Sequence, residues 1–382
     1  MNILLVSDAP LDESEIGYKT QNIAMELLKH EHTVTVISFE YTKNDTHPFN
    51  AENIVFNSTQ LPFEIPVYEK CNFSNTLYHN LSAENIKILR ETLELKLNEI
   101  TGKYSFDAVV FSHITPFLLL KRIPKIPVLV MAEIDESNIF NEAGIPEYIK
   151  IHNSEFTLIY SDEYSLSTLS SLFHKKNPKA LIWKSFYNRS IFRYHEENFD
   201  EILEKYDFPD GNNIILPPLN FTNKEIARFF DIAELFSIFE YEANFIMLTN
   251  DEKSEFKKIP ESIRIIHPES RFHLSVLYNN SQCALIPADK PFPTDSVFNL
   301  IASGVKVLAK RYDYIEKINL PNLYLTEKTD LLSLTRGLIK MLNGKRFTTE
   351  ELKTVKQYSF QNNFNEFLNI IEETIHEYRS DN

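Results

Sequence analysis

The sequence is poor in glycine: 7 residues in 382, under about a third of ordinary usage. Collagen-like, repeat-turn and glycine-rich loop architectures are excluded, and any phosphate-binding loop must work with very few glycines. Cysteine is nearly absent as well. Cys71 and Cys283 lie too far apart for a zinc site, and two residues cannot form a disulfide framework. Both are expected as thiols in a reducing compartment. No stretch approaches the roughly 20 apolar residues of a spanning helix. The opening MNILLVSDAP is too short in its apolar run, and too poor in basic residues, for a signal peptide. Basic residues are outnumbered 39 to 54, for a net charge of −15, and the acidity is spread over both halves. Duplex DNA, whose phosphates must be neutralised by Lys and Arg, is therefore a disfavoured partner. An anionic membrane surface is disfavoured for the same reason. No Asp-x-Asp pair occurs, and no metal is expected. A soluble, cytoplasmic protein is the expectation.

What is present is a regular alternation of short apolar runs with helical periodicity, the pattern of parallel α/β sheets. Strands are predicted at 3–7 and 33–39 around a helix bearing Ile23, Leu27 and Leu28. Residues 42–80 read as edge strands and loop. Over 83–100 the spacing of Ile86, Leu89, Leu93, Leu97 and Ile100 predicts an amphipathic helix. Strands at 107–112, 127–132, 156–161 and 181–183 follow, with helices at 116–122, 137–152 and 163–174. The alternation breaks over 185–212, a polar and aromatic stretch suited to a linker. It restarts with strands at 214–216, 245–249, 263–266, 284–287 and 305–309. The helices there are predicted at 224–239, 272–279, 296–303, 330–343, 349–356 and 361–378. Two successive runs of this kind predict two doubly wound domains, whose ligands bind beyond the C-terminal ends of the strands.

Several segments carry a family likeness. MNILLVSDAP, Gly17 and HEHTVTVIS form a strand, loop, helix and strand; FDAVVFSH ends a strand in His113. LIWKSFYNRSIF brings Asn188 and Phe192 to the domain junction, and PFPTDSVFNLIASGVKVLA leads a helix into a strand. Tyr358 and Phe360 precede the final helix. In these features and their order the chain resembles the GT-B glycosyltransferases, most closely the retaining family-4 group that uses nucleotide sugars. The resemblance implies two Rossmann-like domains facing each other across a cleft. Residues 1–187 would form the acceptor-side domain, completed by the C-terminal helix 358–382, and 188–357 the donor domain. It implies transfer of a sugar, with retention of configuration, from a UDP- or GDP-sugar to a glycan, protein or lipid-linked acceptor, without a metal or other cofactor. The alternative is a degenerate member serving as the recognition or partner subunit of an active glycosyltransferase; a homo-oligomer is compatible with either reading.

The departures from the family pattern are specific. The two glutamates that members carry with seven residues between them fall here on Pro291 and Asn299, with Asp289 and Asp295 flanking the first slot. The arginine of the diphosphate-gripping Arg…Lys pair falls near Pro218 in LPPLNFTNKE, leaving Lys224. Glu133 stands where a histidine usually ends its strand. The candidate catalytic residues are therefore Glu133, His113 and Asp295. The candidate donor-binding residues are Gly17 in the first loop, Lys224, Arg271 just before a helix, and Thr294, Ser296 and Asn299. Thr294, Asp295 or Ser296 would cap the helix that starts there, whose N–H groups and dipole suit a diphosphate. Ser303-Gly304 reads as that helix's C-terminal cap.

Overall fold

The computed structural model describes residues 1–7, 15–40, 54–62, 82–132, 156–163, 165–166, 179–184, 186–197, 199–219, 221–249, 259–344 and 348–381. The chain divides into two units: Met1–Ser185 with Asn363–Asn382, and Phe186–Asn362.

The first unit is a seven-stranded, wholly parallel sheet in the order β3-β2-β1-β4-β5-β6-β7. Its strands are β1 Asn2–Val6, β2 Thr33–Glu40, β3 Ile54–Gln60, β4 Ala108–Phe111, β5 Val128–Ala132, β6 Thr157–Tyr160 and β7 Lys179–Ile182. β4, β5 and β6 are buried along their whole length, as parallel strands covered on both faces must be. The helix Ala83–Lys103 buries the five residues that its periodicity marks, and its first turn is capped by Ser82, whose hydroxyl accepts from the Asn85 N–H. The helix expected at 116–122 is displaced to Ile114–Leu119, while that expected at 137–152 lies outside the described residues.

The final helix, Phe360–Asp381, packs on this first unit although its sequence neighbours belong to the second. Phe364, Phe367, Ile371 and Ile375 are buried, and Ile370 is buried where Leu368 is only half-covered. Phe367 stacks on Trp183 at 4.6 Å, and the Trp183 indole N–H donates to the Asn363 carbonyl at 2.9 Å. Lys179–Glu377 (2.7 Å) and Arg379–Asp107 (2.8 Å) pin the last turns.

The second unit is a six-stranded parallel sheet in the order β10-β9-β8-β11-β12-β13. Its strands are β8 Asn213–Leu216, β9 Asn244–Leu248, β10 Ile263–Ile266, β11 Cys283–Ile286, β12 Lys306–Lys310 and β13 Leu323–Thr326. Helices Asn223–Ile238 and Leu331–Leu342 share one apolar cluster with Ile214, Leu216, Leu285 and Leu308. The alternate residues, such as Ile215 and Ile286, face the opposite side, where helices Arg271–Asn279 and Thr294–Ala302 pack together. Phe298 is the centre of that layer, stacked at 4.5 Å on Phe186 and 5.0 Å from Tyr358. Three elements differ from the sequence expectation. β13 and the short helix Asp313–Glu316 lie in a stretch with no clear period, and the presumed linker contains the helix Asp200–Lys205. β13 is half-buried at every position, as an edge strand is, so it lacks the apolar run that marks its neighbours. Cys283 is a buried thiol whose pKa is pushed up to about 12 by that burial, which makes it unreactive; Cys71 lies outside the described residues.

Candidate functional site

In the second sheet the chain runs from β8 outward to β10 and then restarts at β11 outward to β13. The strand order therefore reverses between β8 and β11, and the loops leaving the C-terminal ends of these two strands meet at that reversal, the place where open α/β sheets bind ligands. What the sequence places there is a dense polar clasp centred on Asp289, three residues beyond the end of β11.

The clasp is built from the helix that follows β8. Thr222 and Glu225 form a capping box, with the Glu225 Oε2 accepting from the Thr222 N–H at 2.8 Å and hydroxyl at 2.9 Å. The other carboxylate oxygen, Oε1, accepts the Asp289 N–H at 2.6 Å, so the helix start is stapled to the β11 loop. Lys224 and Arg228 are four residues apart and share a helix face. The Arg228 guanidinium donates Nη1 to Oδ1 (2.8 Å) and Nη2 to Oδ2 (2.6 Å) of Asp289, and Nη1 also reaches the Pro287 carbonyl at 3.1 Å. The Thr329 hydroxyl, from beyond β13, donates to Oδ1 at 2.5 Å. From the end of β12, the Lys310 ammonium (3.2 Å) and Tyr312 hydroxyl (2.6 Å) donate to the Asp289 carbonyl.

The electrostatics follow from this geometry. Hydrogen bonds from Arg228, then from Thr329, together with the charges of Arg228 and Lys224, hold the Asp289 carboxyl well below the usual carboxylate range. The same pair raises Arg228 above its ordinary value. Asp289 is thus ionised throughout the neutral range and unsuited to general acid work. Arg228, at 16% exposure, is committed to it, while Lys224 is 76% exposed with its ammonium 3.6 Å from Oδ2. Three cations, Lys224, Arg228 and Lys310, surround the carboxylates of Asp289 and Glu225. Of these three, Lys224 is the exposed one.

The loop continues to Phe292, whose N–H donates to the Tyr314 hydroxyl at 3.0 Å while that hydroxyl donates to the Phe292 carbonyl at 2.8 Å. Helix Thr294–Ala302 starts from this pinned loop. The expected side-chain cap is corrected here. The cap position belongs to Pro293, which provides no side-chain bond, and Thr294 is already the first helical residue. Proline suits this start because its fixed φ fits and no N–H is lost from the helical ladder. Asp295, Ser296 and Asn299 are half-buried, and Ser296 and Asn299 share one face. Ser303 and the left-handed Gly304 (φ +88°) close the helix as expected.

Of the other candidates, Arg271 is not ahead of its helix but its first residue, capped by the Ser270 hydroxyl, and it is 2% exposed. Gly17 is not in a loop: it is buried within the first turn of helix Glu15–Lys29. His113 occupies the cap position of helix Ile114–Leu119 and is buried, though its ring forms no capping bond. Both belong to the first unit, and Glu133 lies outside the described residues. The structure thus brings Lys224 together with Asp289 and places Asp295, Ser296 and Asn299 on the helix that leaves the same loop. Arg228, Glu225, Thr329, Lys310 and Tyr312 were not anticipated. The Lys224–Arg228 spacing and the Thr222–Glu225 capping box were visible signals; Lys310, Tyr312 and Thr329 come from segments distant in sequence. Among the described residues, no cluster of His, Cys, Asp and Glu fits a metal ion, and no helix is long and apolar enough to cross a membrane.

No protein-family model matches the chain, and no curated protein matches it. Solved structures do. A sucrose-phosphate synthase from Thermosynechococcus elongatus superposes with a TM-score of 0.68 at 10% identity, covering 99% of this chain and 100% of its own. A glycosyltransferase from Rickettsia africae gives 0.65 at 16% identity, with 98% of each chain covered. A UDP-forming α,α-trehalose-phosphate synthase from Burkholderia xenovorans gives 0.63 at 9% identity, covering 99% of this chain and 100% of its own. These likenesses span both units, and the chain has the GT-B fold of the glycosyltransferases.

Proposed function

We propose that this protein is a glycosyltransferase that moves a sugar from a nucleoside diphosphate donor, with retention of configuration, and that the β8–β11 crevice of the second unit holds the donor. The observation that carries this reading is the exposed Lys224 ammonium, held at the rim of a clasp with an excess of cations, at the strand-order reversal of a fold shared with nucleotide-sugar transferases. When the glycosidic bond breaks, negative charge develops on the departing diphosphate. A cation and helix N–H groups already fixed at that place stabilise it without reorganisation. Lys224 supplies the cation, the first turn of helix Thr294–Ala302 the N–H groups, and Asn299 a hydrogen bond to the ribose. Asp289 and Arg228 hold Lys224's surroundings in place.

A second reading has one observation in its favour. Arg228 is consumed by Asp289, and Pro291 and Asn299 put no carboxylate at either slot of the family's pair. On that reading the protein is a partner subunit without donor chemistry. Calorimetric titration with UDP, GDP and their sugars separates the two. Binding that weakens roughly tenfold or more in Lys224→Ala, the loss of a charge-assisted hydrogen bond of about 1.5–3 kcal/mol, supports the enzyme. Asn299→Ala is expected to weaken UDP or GDP but not inorganic diphosphate. Absence of any nucleotide binding at millimolar concentration favours the partner subunit.

A further inference from the structure

The opposite, N-terminal edge of the second unit's sheet carries a feature that the donor crevice does not use. An open groove of about 1530 Å³ lies there, floored by the strand starts at Asn213 and Lys306 and walled by the segment 187–211 and by helix Thr349–Lys356. Its size exceeds the roughly 300–1,000 Å³ of a site for one small ligand and leaves room for a chain of several units. Its lining is polar but balanced, with six basic and six acidic side chains. A polyanion such as nucleic acid meets as much repulsion as attraction there. A neutral, hydroxyl-rich ligand meets no such obstacle.

Two further observations specify how such a ligand would be held. Tyr194 is 50% exposed, and the Cδ2 edge of its ring lies against Gly304, where a Cβ would come within 2.9 Å of the ring. One of the chain's 7 glycines thus seats this ring, and a seated, half-exposed aromatic is a rigid platform. The negative face of an aromatic ring attracts the polarised C–H groups on the flat face of a pyranose. The planar side chains of Arg193 and Gln282, and of Arg264 on the far strand β10, also line the groove and form no hydrogen bond or ion pair among the described residues. Guanidinium and amide groups offer several donors and acceptors in one plane, which suits vicinal hydroxyls.

We infer that this groove is a binding site for a neutral oligosaccharide, with Tyr194 as its stacking platform and Arg193 and Gln282 as hydrogen-bonding partners. The site is separate from the donor crevice and goes beyond the proposed transfer reaction: it holds a glycan chain whether or not the protein transfers a sugar.

The test is an array of neutral and acidic oligosaccharides probed with the full chain, followed by calorimetry on a retained glycan. Retention of neutral oligosaccharides is expected. Tyr194→Ala is expected to weaken binding at least tenfold with an unchanged melting temperature, and Gln282→Ala by a smaller factor. Lys224→Ala and saturating UDP are expected to leave it unchanged, so loss of the donor site and loss of this site read differently. Retention of no glycan, or of acidic glycans alone, overturns the inference. So does neutral-glycan binding that survives both Tyr194→Ala and Gln282→Ala. If Tyr194→Ala lowers the melting temperature, Gln282→Ala decides: unchanged affinity in that variant overturns the inference.

Discussion

At the C-terminal edge of the β8–β13 sheet, every polar atom of Asp289 has a partner, drawn from the segments after β8, β12 and β13. At the N-terminal edge of the same sheet, Arg193, Arg264 and Gln282 line an open groove without such partners among the described residues. The difference has a physical source. In a parallel sheet all strands point one way, so the loops leaving them converge on one edge and can interlock. Under the proposed function the crowded edge, with its excess of cations, takes a small anion; under the further inference the open edge takes a neutral chain by shape and hydroxyl pattern. The two proposals can be tested separately.

The largest effect should come from what the two edges share. Phe298 lies in the helix that runs from the clasp to the groove, is fully buried, and is stacked on Phe186 with Tyr358 tilted against it. Phe298→Ala is expected to cost about 3–5 kcal/mol, read by denaturant unfolding, and to weaken both sites together.

A smaller effect should isolate the clasp. Asp289→Asn removes the charge that satisfies Arg228. It is expected to cost about 1–2 kcal/mol, below the range for a fully buried pair because Asp289 is 37% exposed. The pH dependence has a definite sign. The folded-state pKa of Asp289 is depressed, so its stabilisation is fully present above the ordinary carboxylate value near 4 and is lost as the pH falls toward the lower folded value. The stability gap between wild type and Asp289→Asn should therefore narrow below about pH 4, measured by thermal unfolding between pH 2 and 7. A constant gap would show that the interaction is not ionic.

The smallest effect tests the open edge. Asp207 lines the groove with φ +45°, a left-handed conformation that glycine adopts without strain. Asp207→Gly is expected to raise stability by up to about 1 kcal/mol, net of the extra entropy of the unfolded chain. It should leave nucleotide binding unchanged. The same argument covers Glu31, Glu240, Asn319 and Asn322, which also occupy left-handed positions. A chain with 7 glycines must fill such turns with other residues.

The legible parts of the fold were those with a strong local period. Ile86, Leu89, Leu93, Leu97 and Ile100 mark a helical face by themselves, and the runs at Ile3–Val6 and Cys283–Ile286 are too apolar to be anything but buried strands. β13 was not legible because an edge strand of four half-buried residues has no such period. The helix Asp200–Lys205 buries no residue, so no apolar stripe announces it. Gly17 was misplaced for another reason: a glycine suggests a turn, but here it occupies a buried position in the first turn of a helix.

The sequence by itself determined the alternation of strand and helix, the amphipathic final helix and the position of Lys224 at a helix start, because each depends on residues within a few positions of one another. The tertiary structure alone decided that Asp289 is the hub. Its partners come from residues 222–228, 310–312 and 329, joined by strand order and not by spacing. It also decided that Arg228 is bound to an internal carboxylate while Lys224 is exposed. Both side chains reach Asp289 in the β11 loop, and the distinction rests on how deeply each packs against it, a matter of long-range packing that no local pattern encodes.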